Sequence, residues 1–137
     1  NRLAQMIRGN LPMAMQGLLV VPMFGGFDEA RGEGSIFNYD GTGGRWEDRD
    51  FHAEGSGGRA AKSSLQKRWR AGMDVATSTE VAIEALLDAS REDAATGGPD
   101  PSRGIFPIVI VVDRDGARSL PEADVAAVVT RILGRSG

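Results

Sequence analysis

The sequence predicts an α+β fold built of antiparallel strands and helices. Three features lead to this prediction: apolar strand segments early in the chain, two helical stretches in the middle, and an Asp-Gly hairpin before a last amphipathic helix. The order strand, hairpin, two helices, hairpin, helix is typical of layers of antiparallel sheet and helix. At 137 residues the chain is long enough for one domain and too short for two.

Composition excludes several classes of protein. Apolar residues make up 41% and charged residues 26%, an ordinary globular balance. The net charge of −3 does not favour nucleic acid as a partner, since that calls for a clustered basic surface. Cysteine is absent, which excludes disulfides and thiolate metal sites and favours a reducing, cytoplasmic compartment. The longest apolar runs, 18–24 and 105–112, are too short to cross a membrane.

The chain opens directly into a helical pattern. Apolar residues recur at helical spacing at Leu3, Met6, Ile7 and Leu11. Neither a Met nor a capping residue precedes this pattern, although a native start usually offers one of them. We therefore expect residue 1 to be an internal position of a longer protein.

Strands are predicted for the next part of the chain. Residues 13–24 read as a buried strand that the following Gly-Gly pair ends. A loop over 28–34 then leads to a hairpin, in which strands 35–39 and 45–53 are joined by a glycine-rich turn at 40–44.

Two helices are predicted to follow. The first runs from about 58 to 70 on the spacing of its alanines, Leu65 and Trp69. The second is predicted to start at a capping box, Thr77 with Glu80. Its core-facing and water-facing residues are expected to be Ala82, Ile83, Leu86 and Leu87 on one side, and Glu80, Glu84, Asp88 and Arg91 on the other.

A loop over 94–103 separates these helices from a hairpin and a last helix. Residues 105–112 are apolar at every position, which predicts a central strand buried on both faces. Asp115-Gly116 predicts the turn to a partner that ends near Leu120. Pro121 is predicted at the first helical position, with Glu122 and Asp124 in the first turn.

One alternating set of side chains has to be weighed as a metal site. Asp48, Asp50, His52 and Glu54 would share one face of a strand, and such a face can bind a hard cation. The same pattern suits the solvated face of an edge strand, where charges discourage aggregation. Ligand-like spacing alone is weak evidence, so no metal or cofactor is expected. The single histidine also supports no Ser-His-Asp triad by spacing.

Glycine clusters raise the question of a phosphate-binding loop. Residues 41–44 are better explained as a hairpin turn. Residues 55–58 do precede a helix, and Lys62-Ser63 lies nearby, but the spacing does not fit a P-loop. A strand-to-helix turn is the favoured interpretation of 55–58.

An acidic residue at the end of the second helix also needs an explanation. Asp93 and Thr96 come just before Gly97-Gly98-Pro99, which is typical of an ordinary glycine-terminated helix end. Yet an acid at a helix C-terminus opposes the helix dipole. This choice of residue is a weak indication of a positional role.

Along essentially its whole length, the sequence resembles the C-terminal portion of actinobacterial 20S proteasome β-subunits. The stretches that carry this resemblance, in chain order, are Arg8-Gly9-Asn10-Leu11, Leu18-Leu19-Val20, Gly25-Gly26-Phe27-Asp28, Gly55-Ser56-Gly57, Arg91-Glu92-Asp93-Ala94-Ala95-Thr96-Gly97-Gly98-Pro99-Asp100, and residues 105–113 with Asp115-Gly116. Several motifs in order, at fitting intervals, make chance similarity improbable.

The resemblance implies a fold and a reaction type. The fold is that of the N-terminal-nucleophile hydrolases, an αββα four-layer sandwich of antiparallel sheets between helices. It would be incomplete here, with residues 1–137 forming the C-terminal portion of a single domain. The family's nucleophile is the hydroxyl of an N-terminal Thr, assisted by that residue's own amine. That Thr, its Asp and Lys, and the glycine loop whose N–H stabilises the oxyanion are expected before residue 1.

Three supporting positions carry over from the family. Ser56 matches the serine of the Gly-Ser-Gly turn, near the nucleophile's amine. Asp93 matches the acid that holds that serine and the terminal Thr in place. Thr96 stands where many relatives have serine, a departure that keeps the hydroxyl. The resemblance thus explains the awkward acid at the helix end, which would serve the site rather than the helix.

The function that the resemblance implies is threonine-type endopeptidase activity on unfolded or tagged polypeptides, inside a barrel of stacked rings. The implied partners are other β-subunits in a seven-membered ring, α-subunit rings and a ring-shaped ATPase. Two alternatives remain open: a non-catalytic ring subunit, against which Ser56 and Asp93 argue, and a small structural or binding module that shares part of the fold.

Overall fold

A computed structural model of the chain describes residues 23–39, 44–48 and 50–136. The predicted helix over 3–11 and most of the strand predicted at 13–24 lie outside these residues. The described elements combine helices with antiparallel strands, so the predicted α+β class is confirmed. The chain divides into two compact units, residues 1–49 and 50–137.

The first unit contains a three-stranded antiparallel sheet. Its strands are β1 (Met23–Asp28), β2 (Glu33–Tyr39) and β3 (Arg45–Asp48), in that order across the sheet. The predicted hairpin is therefore confirmed as β2–β3, although β3 ends at Asp48 rather than at 53. The prediction that the Gly-Gly pair ends the first strand is wrong. Gly25 and Gly26 lie inside β1, where pairing with β2 satisfies the backbone despite the missing side chains.

Arg31 holds the turn between β1 and β2. Its guanidinium donates to Asp28 Oδ2 at 2.9 Å and to Ser35 Oγ at 2.8 Å, and it also contacts Glu47 of β3. Asp28 Oδ1 in turn accepts the backbone N–H groups of Ala30 and Arg31. One side chain therefore links all three strands of this unit.

The second unit consists of three helices and a hairpin. The elements are α1 (Gly58–Arg68), α2 (Val75–Glu92), a short 3₁₀ turn (Pro101–Arg103), β4 (Ile110–Asp113), β5 (Gly116–Ser119) and α3 (Glu122–Ser136). α2 packs against both other helices. Its small residues Ala85 and Ala89 meet Ala61 of α1, and its larger ones form a second cluster with α3: Ile83, Leu87, Val125, Val129 and Ile132.

The start of α2 differs from the prediction. The N-cap is Asp74, whose Oδ1 accepts the N–H of Thr77 at 2.8 Å, so the helix begins at Val75 and the capping box at Thr77 is wrong. Aspartate is at least as strong an N-cap as threonine. Here its carboxylate accepts the N–H of Thr77, three residues before the position at which the cap was predicted. Glu80 pairs instead with Arg131 and Arg135 of α3.

The faces of α2 also differ from the prediction. Ala82 and Leu86, expected in the core, are exposed, whereas Glu84 and Asp88, expected in water, are half-buried. The reason is that α2 lies between two helices and therefore buries two separate lines of residues. Glu84 and Asp88 lie beside α1, where both form ion pairs with Arg68.

The predicted central strand at 105–112 is wrong in length and in burial. Only Ile110–Asp113 is strand, and within the described residues it pairs with β5 alone. Ile108 is 86% exposed and Ile110 58% exposed. The predicted hairpin is confirmed, but its turn residues are Arg114 and Asp115, and Gly116 opens β5 opposite Asp113. A run of apolar residues does not show whether a strand is covered on both faces within its own chain or leaves one face exposed.

Smaller shifts occur at the ends of helices. α1 ends at Arg68 rather than at 70. Pro121 precedes α3 instead of opening it, and its carbonyl accepts the N–H groups of Asp124 and Val125. Glu122 and Asp124 occupy the first turn as predicted. Of the helices in the described part of the chain, none has the length and apolar character needed to cross a membrane.

Candidate functional site

The site is built where the chain leaves α2. The helix ends at Glu92, and Asp93 adopts an extended backbone conformation (φ −128°, ψ 113°). The N–H of Asp93 still donates to the carbonyl of Ala89 at 2.9 Å, so the last helical hydrogen bond fixes its backbone. Asp93 is thus the C-cap of α2.

The turn after Asp93 folds back onto its carboxylate. Thr96 Oγ1 donates to Asp93 Oδ2 at 2.6 Å, and the N–H of Ala95 donates to Oδ1 at 3.2 Å. The N–H of Thr96 donates to the carbonyl of Asp93 at 3.0 Å. Both carboxylate oxygens are thus engaged within a few residues, and the turn holds the Thr96 hydroxyl in a defined direction.

Ser56, in the turn before α1, lies close enough to the same carboxylate to lower its pKa, and both residues line one cleft. That turn closes with a hydrogen bond from Gly58 N–H to the Gly55 carbonyl at 3.0 Å, and Gly55 has φ of 101°, a value that favours glycine. The prediction of a turn that leads into a helix is confirmed for residues 55–58, but the strand predicted before it is wrong, since residues 51–54 are irregular. The structure therefore brings Ser56, Asp93 and Thr96 together.

Hydrogen bonding controls the charge at the site. The Ser56 hydroxyl, then the Thr96 hydroxyl and then the Ala95 N–H lower the pKa of Asp93 below its ordinary 3.8, against a smaller opposing effect of desolvation. All three donors favour the ionised form because a carboxylate accepts hydrogen bonds better than a carboxylic acid does. Asp93 is therefore a carboxylate at neutral pH, a poor proton acceptor that can orient two hydroxyls.

Glycine allows the two segments to meet. Gly57 is buried, and a Cβ atom added to it would lie 2.6 Å from Thr96 Oγ1 and 3.1 Å from the Cβ of Ala89. The sequence analysis assigned Gly57 only to a turn and did not predict this close approach to Thr96 and Ala89. The available signal was that Gly57 and Ala89 are small, since small residues allow two backbone segments to come close together.

A cleft of about 580 Å³ lies between α1 and α2, with Ser56 and Asp93 at its edge. Its lining contains side chains of both charges. Arg59, Lys67 and Arg91 are basic, and Asp88 and Glu92 are acidic. Arg68 and Ser64 donate to Asp88 inside it, at 3.0 and 2.7 Å. The site thus opens onto a polar cleft rather than an apolar pocket.

The alternating acidic set does not form a metal site in this structure. β3 ends at Asp48, so Asp50, His52 and Glu54 do not continue its alternation. The Nε2 of His52 lies 2.6 Å from Glu54 Oε1. Across the described residues, no three histidine or acidic side chains are grouped to hold a metal ion.

Comparison with known proteins supplies a family. The model of the family described as "Proteasome subunit" matches residues 1–100. A "Proteasome subunit beta" of Acidimicrobium ferrooxidans is 55% identical over 123 residues, which cover 90% of this chain and 45% of that protein. A "Proteasome subunit beta" of Stackebrandtia nassauensis is 51% identical over 137 residues, which cover 97% of this chain and 49% of that protein. The chain spans about half the length of these relatives.

Proposed function

The chain belongs to the proteasome subunit family, and from this membership we propose that it is the C-terminal portion of a β-subunit of the 20S core. The full-length subunit would be a threonine-type endopeptidase, completed by a segment that carries the nucleophile. Identity above 50% to two proteins named as β-subunits supports the choice of β-subunit.

The single observation that carries the proposal for the site is the convergence of two hydroxyls on one ionised carboxylate. Ser56 and Thr96 come from different turns: Thr96 Oγ1 donates to Asp93, and the Ser56 hydroxyl lies close enough to lower the pKa of the same carboxylate. A hydroxyl that gives its proton to Asp93 keeps its oxygen lone pairs to accept a hydrogen bond from elsewhere. An ammonium or amine group is a suitable donor for such a pair of oriented oxygens.

In the proposed reaction, these residues hold the terminal amine of the nucleophilic Thr. That amine takes the proton of the Thr hydroxyl as the hydroxyl oxygen attacks the peptide carbonyl, which gives a tetrahedral intermediate. The C–N bond of this intermediate then breaks, the leaving amine takes the proton, and water hydrolyses the ester of the acyl-enzyme that remains. Ser56 and Thr96 orient the amine through their oxygens. Asp93 fixes the direction of the hydroxyls, and its negative charge stabilises the ammonium that forms when the amine takes the proton. All three would be supporting residues, and none of them the nucleophile.

Fold, assembly and location follow as parts of the same proposal. The helices and antiparallel strands described here would belong to a four-layer αββα sandwich of the N-terminal-nucleophile hydrolases. The subunit would form seven-membered rings that stack with α-subunit rings in the cytoplasm. A ring-shaped ATPase would act through the α-ring, and the substrates would be unfolded or tagged polypeptides. No cofactor, metal, membrane or nucleic acid enters this proposal.

The proposal is tested with the full-length subunit assembled with its α partner, in a fluorogenic peptide assay. We expect turnover by the wild type and a fall in kcat of roughly 10- to 100-fold for Asp93→Asn, since hydrogen bonds to one charged group are lost. The matched control is Asp115→Asn, an exposed turn residue at which asparagine suits the hairpin equally well. Assembled wild-type rings without any turnover would instead make the chain part of a non-catalytic ring subunit.

A further inference from the structure

We propose that Gly57 is a positioning residue of the site, because its missing side chain leaves the space in which the Thr96 hydroxyl turns toward Asp93. The consequence for catalysis rests on the proposed function, whereas the contact itself does not. Gly57 would thus join Ser56, Asp93 and Thr96 as a supporting residue, and it would act only through Thr96.

The distances define the contact. A Cβ atom on Gly57 would lie 2.6 Å from Thr96 Oγ1, 3.4 Å from Thr96 Cβ and 3.1 Å from Ala89 Cβ. Carbon atoms attract one another best at roughly 3.5–4.0 Å, so the contact with the hydroxyl oxygen is far inside the repulsive range. The contact with the rest of the Thr96 side chain is nearly ordinary.

Only one of these neighbours can give way at small cost. Ala89 is 2% exposed and its methyl group is fixed to the backbone of α2 between packed residues. Thr96 Oγ1 can leave by rotation about χ1. Since χ1 has discrete staggered wells, this rotation removes the 2.6 Å bond to Asp93 Oδ2 rather than stretching it.

Position 57 requires glycine because there is no space for a side chain, and not because its backbone conformation is unusual. Its φ is −89°, which any residue adopts. Gly55, on the other side of Ser56, shows the opposite case, because its φ is 101° and an added Cβ would meet nothing within 4 Å. The two glycines that flank Ser56 therefore serve different purposes: Gly55 forms the turn, and Gly57 admits the Thr96 hydroxyl.

The charged groups around Asp93 are left unchanged by an added methyl group at Gly57. Those that line the neighbouring cleft are Arg59, Lys67, Arg68, Asp88, Arg91 and Glu92. An effect of Gly57→Ala on the reaction is therefore not due to a changed charge, and the contact of the added methyl group with Ala89 is common to the Gly57→Ala and double variants.

The test uses the full-length subunit assembled with its α partner and three variants: Gly57→Ala, Thr96→Ala and the double variant. We expect Gly57→Ala to lower kcat about tenfold, the effect of losing one hydrogen bond to a charged group, with KM unchanged. In the Thr96→Ala background, adding Gly57→Ala should change kcat by less than about twofold, since the two act on one interaction. Gly97→Ala, where an added Cβ meets nothing within 4 Å, should match the wild type.

Several results would overturn the inference. These are a wild-type kcat for Gly57→Ala, or effects of Gly57→Ala and Thr96→Ala that multiply in the double variant. If Gly57→Ala does not assemble, the double variant decides: assembly with the kcat of Thr96→Ala supports the inference, and failure to assemble overturns it. If the wild type hydrolyses nothing, the proposed function fails. A crystal structure of the Gly57→Ala subunit then tests the inference alone, and Thr96 Oγ1 still bonded to Asp93 would refute it.

Discussion

Thr96 donates its side-chain hydrogen bond to Asp93 Oδ2 across the end of α2, at 2.6 Å. Asp93 is the first residue after the helix, and Thr96 lies in the turn that follows. Ser56, in the turn before α1, lies close enough to lower the pKa of the same carboxylate. One acid therefore connects two segments that are remote in sequence, and its charge is the property on which the site depends.

Removal of the Thr96 hydroxyl should raise the pKa of Asp93. In Thr96→Val the side chain keeps its shape but no longer donates to the ionised carboxylate, so the pKa moves up toward the ordinary 3.8. A carboxyl ¹³C NMR titration measures this directly. The control is Thr130→Val at an exposed position of α3, which should leave the titration of Asp93 unchanged.

The same shift predicts how stability depends on pH. Because the folded pKa of Asp93 is depressed, its contribution to the free energy of unfolding is fully present above the unfolded value, near 3.8, and is lost as pH falls through the folded pKa. Thr96→Val should therefore lose stability at neutral pH, and the loss should shrink below about pH 3.8. Urea unfolding at several pH values checks this, and a difference that grows on acidification would contradict it.

The chain of 137 residues by itself should hydrolyse no peptide bond. It has no cysteine, and a hydroxyl is a poor nucleophile unless a base lies beside it. The only acid that meets Ser56 and Thr96 in the described structure is Asp93, whose lowered pKa makes it a weak base. A fluorogenic peptide assay on the isolated chain measures this. Turnover that Ser56→Ala abolishes would show a serine hydrolase instead.

The isolated chain should also be prone to aggregation or only partly folded, while the parent subunit is expected in rings. β4 and the segment that precedes it expose apolar side chains at Ile108 (86%), Ile110 (58%) and Val112 (40%). An exposed apolar patch is a site for association. Sedimentation velocity should show larger species, which Ile110→Thr reduces. A sharp monomeric peak with cooperative thermal unfolding would count against this prediction.

Arg68 should contribute to the packing of α1 on α2. It donates to Asp88 Oδ2 at 3.0 Å and also contacts Glu84, and both acids are half-buried. Arg68→Ala in the full-length subunit should lower the free energy of unfolding by about 1 kcal/mol, a value discounted because Arg68 is partly exposed to solvent. The control Arg70→Ala, at an exposed position beyond α1, should cost less than about 0.5 kcal/mol. Equal losses in urea unfolding would refute the role of the ion pairs.

The sequence by itself determined the α+β class and, for the part of the chain that the structure describes, the order of the elements, whereas the three residues of the candidate site were predicted from the family resemblance. Class and order depend on local patterns: hairpin signals around residues 40–44 and 115–116, and helical spacing in α1 and α3. These patterns are readable in sequence because backbone geometry and turn chemistry act over a few residues.

Only the tertiary structure decided which faces are buried and which groups meet. α2 has two buried lines because it lies between α1 and α3, and this reversed the environments expected for Leu86 and Asp88. The space that Gly57 leaves for Thr96 is equally invisible in sequence, since it depends on how two remote turns pack. The physical reason is that burial and close approach are properties of pairs of elements, whereas propensity and capping belong to single ones.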